Sequence, residues 1–311
     1  MELIKAACRE FINDRISCIT SFGDGRINDT FRIKTDKAEY ICQKIRRAVN
    51  SEILERNYIL YAEACGKTDL LYPKWLKTET GKFFYTDEYG DHWRMYPMIE
   101  GQVLSIPVSE ELLIACGEGL ARMHVMLQTF SEKPRATYPM HHDLKHYYER
   151  YLWVLNNDLS GEARDDELED LIDSGLEAFI DLKIDRSAVI HGDPKLANIL
   201  FVSGKVKAFL DLDTLMQGAL AEDIADCIRS CCIREGKIDK ASVQAFMQGY
   251  QRDGNVLLSK EETELLPFII RKICFELGLR YYTDAIAKEK KFKEKYPGYL
   301  MEKARVNFAA L

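Results

Sequence analysis

The strongest constraint in this chain is the order of its periodicities. Up to about residue 100, short β-branched or aromatic runs are separated by Gly and Asp turns. These runs, 16–23, 28–35 and 39–45, read as strands. One helix interrupts them at 50–66, with Ile53, Leu54, Ile59, Leu60 and Ala64 on one face and Gly66 to close it. Two further strands are expected in PKWLKTE (73–79) and GKFFYTD (81–87), ahead of DHWRMYPMIEG. From about Val108 the pattern becomes long helices at 110–128, 144–156 and 165–181. A strand-rich island follows at 188–213, and then helices again to the C-terminus. Strands and helices are segregated, which predicts an α+β chain rather than a doubly wound sheet. The segment around residue 97 is the natural joint. It divides a β-rich lobe at 1–97 from a mainly helical lobe at 98–311.

Composition narrows the function classes. A chain of 311 residues with 47% hydrophobic residues can fill cores of that size. The net charge is −7 and there is no basic run, which argues against nucleic-acid binding, where clustered Lys and Arg must neutralise phosphates. The lysine-dense stretch Lys288 to Lys295 is broken by Glu289 and Glu294 and reads as a solvated helix face. No window approaches the roughly 18 apolar residues of a membrane span. Lys5 and Arg9 interrupt what would be the apolar region of a signal peptide. Nine cysteines, without a C-x-x-C pair or zinc spacing, read as buried thiols in a reducing compartment, and the expected location is cytoplasmic.

The chemistry concentrates in VIHGDPKLANILF, residues 189–201. His191-x-Asp193 is followed by Asn198 five positions later, between apolar runs, and the next strand ends in AFLDLDT with Asp211 and Asp213. This is the layout of a phosphoryl-transfer loop, H-x-D-x-x-x-x-N and then a metal-binding aspartate. Asp193 would reach an acceptor hydroxyl as the base. Asn198 and Asp211 would present hard oxygen ligands to Mg²⁺ beside the phosphates of ATP. Asp213 would assist the metal or accept backbone hydrogen bonds beside it. A polar turn capped by Asp and Asn would not require all three positions between two strands.

Upstream, Phe22-Gly23-Asp24-Gly25-Arg26-Ile27-Asn28-Asp29-Thr30 places a glycine turn between two strands, where backbone N–H groups can cover phosphates. Gly23, Gly25, Asn28 and Thr30 are the nucleotide candidates there. A dinucleotide-binding reading fails because a strand, not a helix, follows. In Ile41-Cys42-Gln43-Lys44, alternation puts Cys42 and Lys44 on one face. That arrangement would set Cys42 against adenine and Lys44 on the phosphates, with Glu55 as the lysine's partner (Glu52 being the alternative). Gln43 takes that role if the register slips by one. Adenine is expected near Met95, Tyr96 and Met98.

HGDPKLANILF followed by FLDLDT resembles the aminoglycoside phosphotransferase and choline kinase superfamily. His-Gly-Asp stands where protein kinases carry His-Arg-Asp, and no D-F-G…A-P-E pair follows. GRINDTF (25–31), WRMYPMIEG (93–101), FLDLDT (209–214), RYYTD (280–284) and KYPGYLMEKAR (295–305) resemble, within it, the N-acetylhexosamine 1-kinase branch. The resemblance runs over almost the whole chain. It implies a protein-kinase-like two-lobed fold, ATP, Mg²⁺ and phosphorylation of a sugar's anomeric hydroxyl. His142, Asp143, Asp213 and Arg280 are then candidates for the acceptor end. Asp143 also reads as a helix N-cap, and Arg280 as a structural salt-bridge partner. Competing readings are an aminoglycoside kinase, a choline- or homoserine-type amino-alcohol kinase, and a nucleotide-binding pseudokinase. All three catalytic positions are occupied, which counts against the last.

Overall fold

The computed structural model describes residues 1–23, 28–46, 49–106, 108–161, 164–234, 236–252 and 257–311. The chain divides into two compact units, Met1–Gly101 and Gln102–Leu311.

The N-terminal unit begins with a helix the sequence reading did not anticipate, α1 (Glu2–Arg9). At eight residues it is too short to show much periodicity. Next come β1 (Ile16–Ser21), β2 (Asp29–Thr35), β3 (Glu39–Ile45), α2 (Ser51–Cys65), β4 (Tyr85–Thr86) and β5 (His92–Pro97). The strands form one antiparallel sheet in the order β1-β2-β3-β5-β4. Of the two strands expected at 73–87, only Tyr85–Thr86 pairs. PKWLKTE instead carries Trp75 onto α2, where the ring stacks on Tyr58 at 4.0 Å and the Trp75 N–H donates to the Tyr58 hydroxyl. Asn50 caps α2 by accepting from Glu52 and Ile53 N–H. Of the expected face of α2, Leu54, Leu60 and Ala64 are buried and Ile59 is exposed, while Tyr58 and Tyr61 widen the buried stripe. Tyrosines, amphipathic by nature, carry a core stripe that an aliphatic-only reading misses. Gly66 does end the helix, but in right-handed geometry.

The C-terminal unit contains β6 (Gln102–Val103), α3 (Glu110–Leu127), α4 (Leu144–Asn157), α5 (Asp166–Phe179), β7 (Ala188–Ile190), β8 (Ile199–Val202), β9 (Lys205–Phe209), β10 (Met216–Gly218), α6 (Leu220–Cys231), β11 (Ile233–Arg234), β12 (Lys237–Ile238), α7 (Lys240–Gln251), α8 (Lys260–Ile286) and α9 (Tyr299–Phe308). A small antiparallel sheet lobe thus precedes a mainly helical unit, the fold class expected. α8 is the central helix. It is started by a Ser259/Glu262 capping box, and from Leu266 onward it is buried on most sides, with the buried Lys272, Glu276 and Asp284 among its apolar residues. Its Phe275, Leu279 and Tyr282 share a core with Tyr151, Ile172 and Leu300. The lysine-dense stretch at 288–295 is irregular rather than helical, with the Lys291 and Phe292 N–H groups donating to Asp284 at 2.8 and 2.7 Å. All nine cysteines are free thiols, and among the described residues no helix is long and apolar enough to cross a membrane.

α3 and α7 meet backbone to backbone. A Cβ on Gly117 would lie 2.0 Å from the Phe246 carbonyl oxygen, and one on Gly249 would lie 2.0 Å from that of Ile114. Backbone cannot yield as a side-chain tip can. Gly249→Ala is therefore expected to destabilise by about 1–3 kcal/mol, an overpacking penalty. Thermal melting checks this, and an unchanged melting temperature would mean that the two helices have room to separate.

Candidate active site

The strand island of the C-terminal unit builds the candidate catalytic loop. β7 pairs antiparallel with β10, and β8 with β9. The chain leaves β7 at His191, passes Asp193 and Lys195, makes one 3-10 turn over Leu196–Asn198 and enters β8. Gly192 has φ +86°, and a Cβ there would sit 2.5 Å from the Thr214 carbonyl oxygen, so only glycine fits. The loop is pinned by buried side chains. Asp223 of α6 accepts from the N–H groups of His191 and Gly192 at 2.8 and 2.7 Å. His124 of α3 bridges Asp223 and the Tyr250 hydroxyl, the satisfied buried histidine that a polar residue in an apolar helix must be. Ser230 accepts from Leu196 N–H, and the Leu210 N–H donates to the Asn198 carbonyl, tying the end of β9 to the loop.

Asp193 has two different oxygens. Oδ2 is ion-paired with Lys195 and accepts from Asn198 Nδ2. Among the described residues Oδ1 has no hydrogen-bonding partner, and it is not sealed from solvent. Burial alone would raise the Asp193 carboxyl, but the Lys195 ammonium outweighs it and holds the group below its ordinary value. Asp193 is therefore a carboxylate at neutral pH. Lys195 is partly buried, which works against its charge, yet Asp193 and Asp211 outweigh this and keep it protonated. Asn198 uses its amide N–H on the Asp193 carbonyl and carboxylate, and its Oδ1 accepts no hydrogen bond among the described residues. Asp211 follows β9 in the left-handed region, at φ 60° and ψ 60°. Non-glycine residues held there are uncommon and concentrate at functional sites.

A family model described as the phosphotransferase enzyme family (APH) matches residues 19–257, which include this loop and most of both units. The chain belongs to that family. This phosphotransferase is 27% identical over 268 residues to a homoserine kinase of Sinorhizobium medicae (strain WSM419), covering 82% of the present chain and 77% of that one. Its fold is shared with amicoumacin kinase hAmiN, solved with AMP-PNP, Ca²⁺ and Ami (TM-score 0.70, 14% identity, 99% and 92% of the two chains covered). It is shared equally with a microcompartment-associated aminopropanol kinase (TM-score 0.70, 15% identity, 99% and 95% covered).

The acceptor-end candidates of the phosphotransferase separate into distinct environments. Asp143 caps α4 by accepting from His146 N–H, the structural role the sequence left open. Asp213 is buried in the 3-10 turn after Asp211. His142 has no ring nitrogen to spare: Nδ1 meets Glu276 at 3.0 Å, and Nε2 meets the Gly192 carbonyl at 3.1 Å. Burial works against its charge, but Glu276 outweighs burial and lifts His142 to about 9. The adjacent His141 also donates from Nε2 to the Gly192 carbonyl, at 2.6 Å. Burial, helped by His142 and Arg280, drops it to about 3. Arg280 lies over the rings of Tyr147 and Phe292, at 4.7 and 5.3 Å. Its charge is felt at His141, and it feels that of Asp193. Sequence reasoning passed over Lys195, although it stands inside the motif. It read His141 only as part of the His141-His142-Asp143 run before α4, and it passed over Glu276 and Lys272, whose partners lie far away in the chain.

In the N-terminal unit the register separates the nucleotide candidates by face. Cys42 and Met95 pair across β3 and β5 and are buried with Ala7 and Cys8 of α1. They face that core, which leaves neither of them surface for an adenine ring. Lys44 takes its carboxylates from Asp29 and Asp91, at 3.8 and 3.4 Å, and not from Glu55. The alternate face carries Gln43, which donates to Thr30 Oγ1 at 3.1 Å and accepts from Arg94 at 2.9 Å. Arg94 in turn lies over Trp75, 4.7 Å from the ring centre. Asn28 is buried and its side chain accepts from Arg46 N–H. Gly23 has φ +72° with open space around it. Tyr96 and Met98 are partly buried at the end of the unit. Gly25 lies outside the described residues.

Proposed function

We propose that this phosphotransferase moves the terminal phosphoryl group of ATP to a hydroxyl of a small acceptor. The observation that carries the reading is the divided Asp193 carboxylate. Lys195 and Asn198 fix one oxygen, and the other is left for an acceptor O–H. The acceptor oxygen attacks phosphorus, its proton passes to Asp193 and ADP leaves. Lys195 keeps Asp193 ionised and adds positive charge where phosphate charge gathers. Positioning and charge neutralisation supply most of such a rate enhancement. The donor set also fits Mg²⁺: an amide oxygen from Asn198 without a hydrogen bond and a carboxylate from Asp211, both hard oxygens. Bound there, the ion would neutralise phosphate charge. In the N-terminal unit the phosphate-side role falls to the face of Thr30 and Gln43 rather than to Lys44, because Lys44 shares the strand face of Cys42, which packs against α1.

For the acceptor we favour an N-acetylhexosamine phosphorylated at its anomeric hydroxyl. The segments at 25–31, 93–101, 280–284 and 295–305 support it through their shared resemblance. Arg280 adds a physical reason, since a cation within electrostatic reach of Asp193 repels a polycationic aminoglycoside but suits an acetamide oxygen. A second reading, a homoserine-type acceptor, rests on the homoserine kinase relative. It is compatible with the same arginine through the substrate's carboxylate. One panel separates them: Mg·ATP with N-acetylglucosamine, N-acetylgalactosamine, homoserine, aminopropanol, choline and kanamycin, with products read by ³¹P NMR. A sugar 1-phosphate is the expected product. Turnover of homoserine or aminopropanol alone selects the second reading, and turnover of kanamycin alone overturns both.

A further inference from the structure

The Gly192–Asp193 peptide is held in an unusual way. Its N–H donates to His191 Nδ1 at 3.3 Å. Its carbonyl accepts from two imidazoles, His141 Nε2 at 2.6 Å and His142 Nε2 at 3.1 Å. Both lone pairs of one buried carbonyl are thus taken by side chains from the segment ahead of α4. The fold explains the need. Gly192 must be glycine, because a Cβ would meet the Thr214 carbonyl oxygen at 2.5 Å. Glycine is also the residue whose flanking torsions are least restrained. Rotating the peptide after it would swing the Asp193 side chain. The two histidines restore the rigidity that glycine gives away.

His142 is itself anchored. It is buried at φ 58°, a strained setting for a non-glycine residue. Arg186 donates to its carbonyl at 2.9 Å, and its Nδ1 meets Glu276. Glu276 is also faced by Lys272 at 3.5 Å and Arg280 at 3.9 Å, while Lys272 and Arg186 share Glu222. A charge network from α6 and α8 therefore ends on the carbonyl next to Asp193.

We propose that His142 is a positioning residue for phosphoryl transfer: it bridges Glu276 to the Gly192 carbonyl and, with His141, fixes the peptide from which Asp193 projects. The proposal rests on the reading of Asp193 as the base. A base displaced by about 1 Å loses up to about 10²-fold in rate without losing substrate affinity.

His142→Asn tests it, since asparagine tolerates the left-handed backbone but is too short to reach the carbonyl. Glu276 keeps Lys272 and Arg280 as partners, so the core charge is not stranded. The expected result is kcat lower by about 10–100-fold, with KM for ATP and acceptor within about threefold of wild type. His142→Gln, which can extend an amide N–H toward Gly192, should recover part of the loss. His141→Ala removes the other donor and should lower kcat in the same way, and it serves equally if His142→Asn does not fold. Asp193→Asn is measured alongside. If it is inactive while the His142 and His141 variants keep kcat within twofold, the positioning role is overturned and the base reading stands. If Asp193→Asn turns over normally, the base reading fails and the proposal with it. A fall in melting temperature alone, at unchanged kcat, also overturns the proposal, because it marks a purely structural contact.

Discussion

Asp193→Asn is expected to lower kcat by about 10²–10⁴-fold, the usual consequence of removing a general base. Nucleotide affinity should hardly change. The substitution is isosteric, and its amide oxygen can still accept from Lys195 and Asn198, the partners of the native Oδ2. What it removes is the charge that draws the acceptor proton, together with the negative partner of Lys195. Lys195 stays close to Asp211 and Asp226, so its ammonium is not left without compensation and the fold should tolerate the change. The checks are steady-state kinetics with the preferred acceptor, calorimetry with Mg·ATP, and a melting curve. A kcat within threefold of wild type would show that Asp193 is not the base. Loss of activity together with a collapsed melting temperature would instead point to a loop that no longer folds.

The loop was legible in the sequence because its chemistry is local. Asp193, Asn198 and Asp211 lie on one short run of strands and loop, and the spacing proposed to serve the reaction is the spacing along the chain. The sheet of the N-terminal unit was legible in part. Alternation correctly puts Cys42 and Lys44 on one face, but it cannot say which face a helix will cover. α1 covers that one, so Cys42 is consumed by core packing and Gln43 takes the other side. The same limit explains α2, whose buried stripe keeps Leu54, Leu60 and Ala64 but widens to Tyr58, which meets Trp75. Least legible is the network behind Asp193. His142 and Glu276 are separated by 134 positions, and nothing local marks either as a partner of the other. Lys195 is a different kind of omission: two residues past Asp193 in the motif, it could have been read as the counter-ion of Asp193.

Asp211→Gly is expected to abolish turnover, by about 10³-fold or more, with little change in thermal stability. The argument starts from the backbone. Asp211 holds φ 60° and ψ 60°, which costs an L-residue about 1–2 kcal/mol, less for aspartate than for most. Glycine removes that strain, but it gives the unfolded chain more freedom, worth about 0.5–1 kcal/mol in the opposite direction. The two terms nearly cancel, so the melting temperature should move by no more than a few degrees. Activity has no such compensation. If Asp211 and Asn198 supply the protein oxygens for Mg²⁺, deleting the only charged one removes several kcal/mol of charge stabilisation around the phosphates, and each 1.36 kcal/mol is tenfold in rate. Calorimetry with ATP, with and without Mg²⁺, separates the metal contribution from the nucleotide's own affinity. The metal-dependent part should vanish in Asp211→Gly and persist in Asp193→Asn. If Asp211→Gly binds Mg·ATP and turns over within threefold of wild type, the metal role is wrong, and the left-handed aspartate after β9 serves the turn alone.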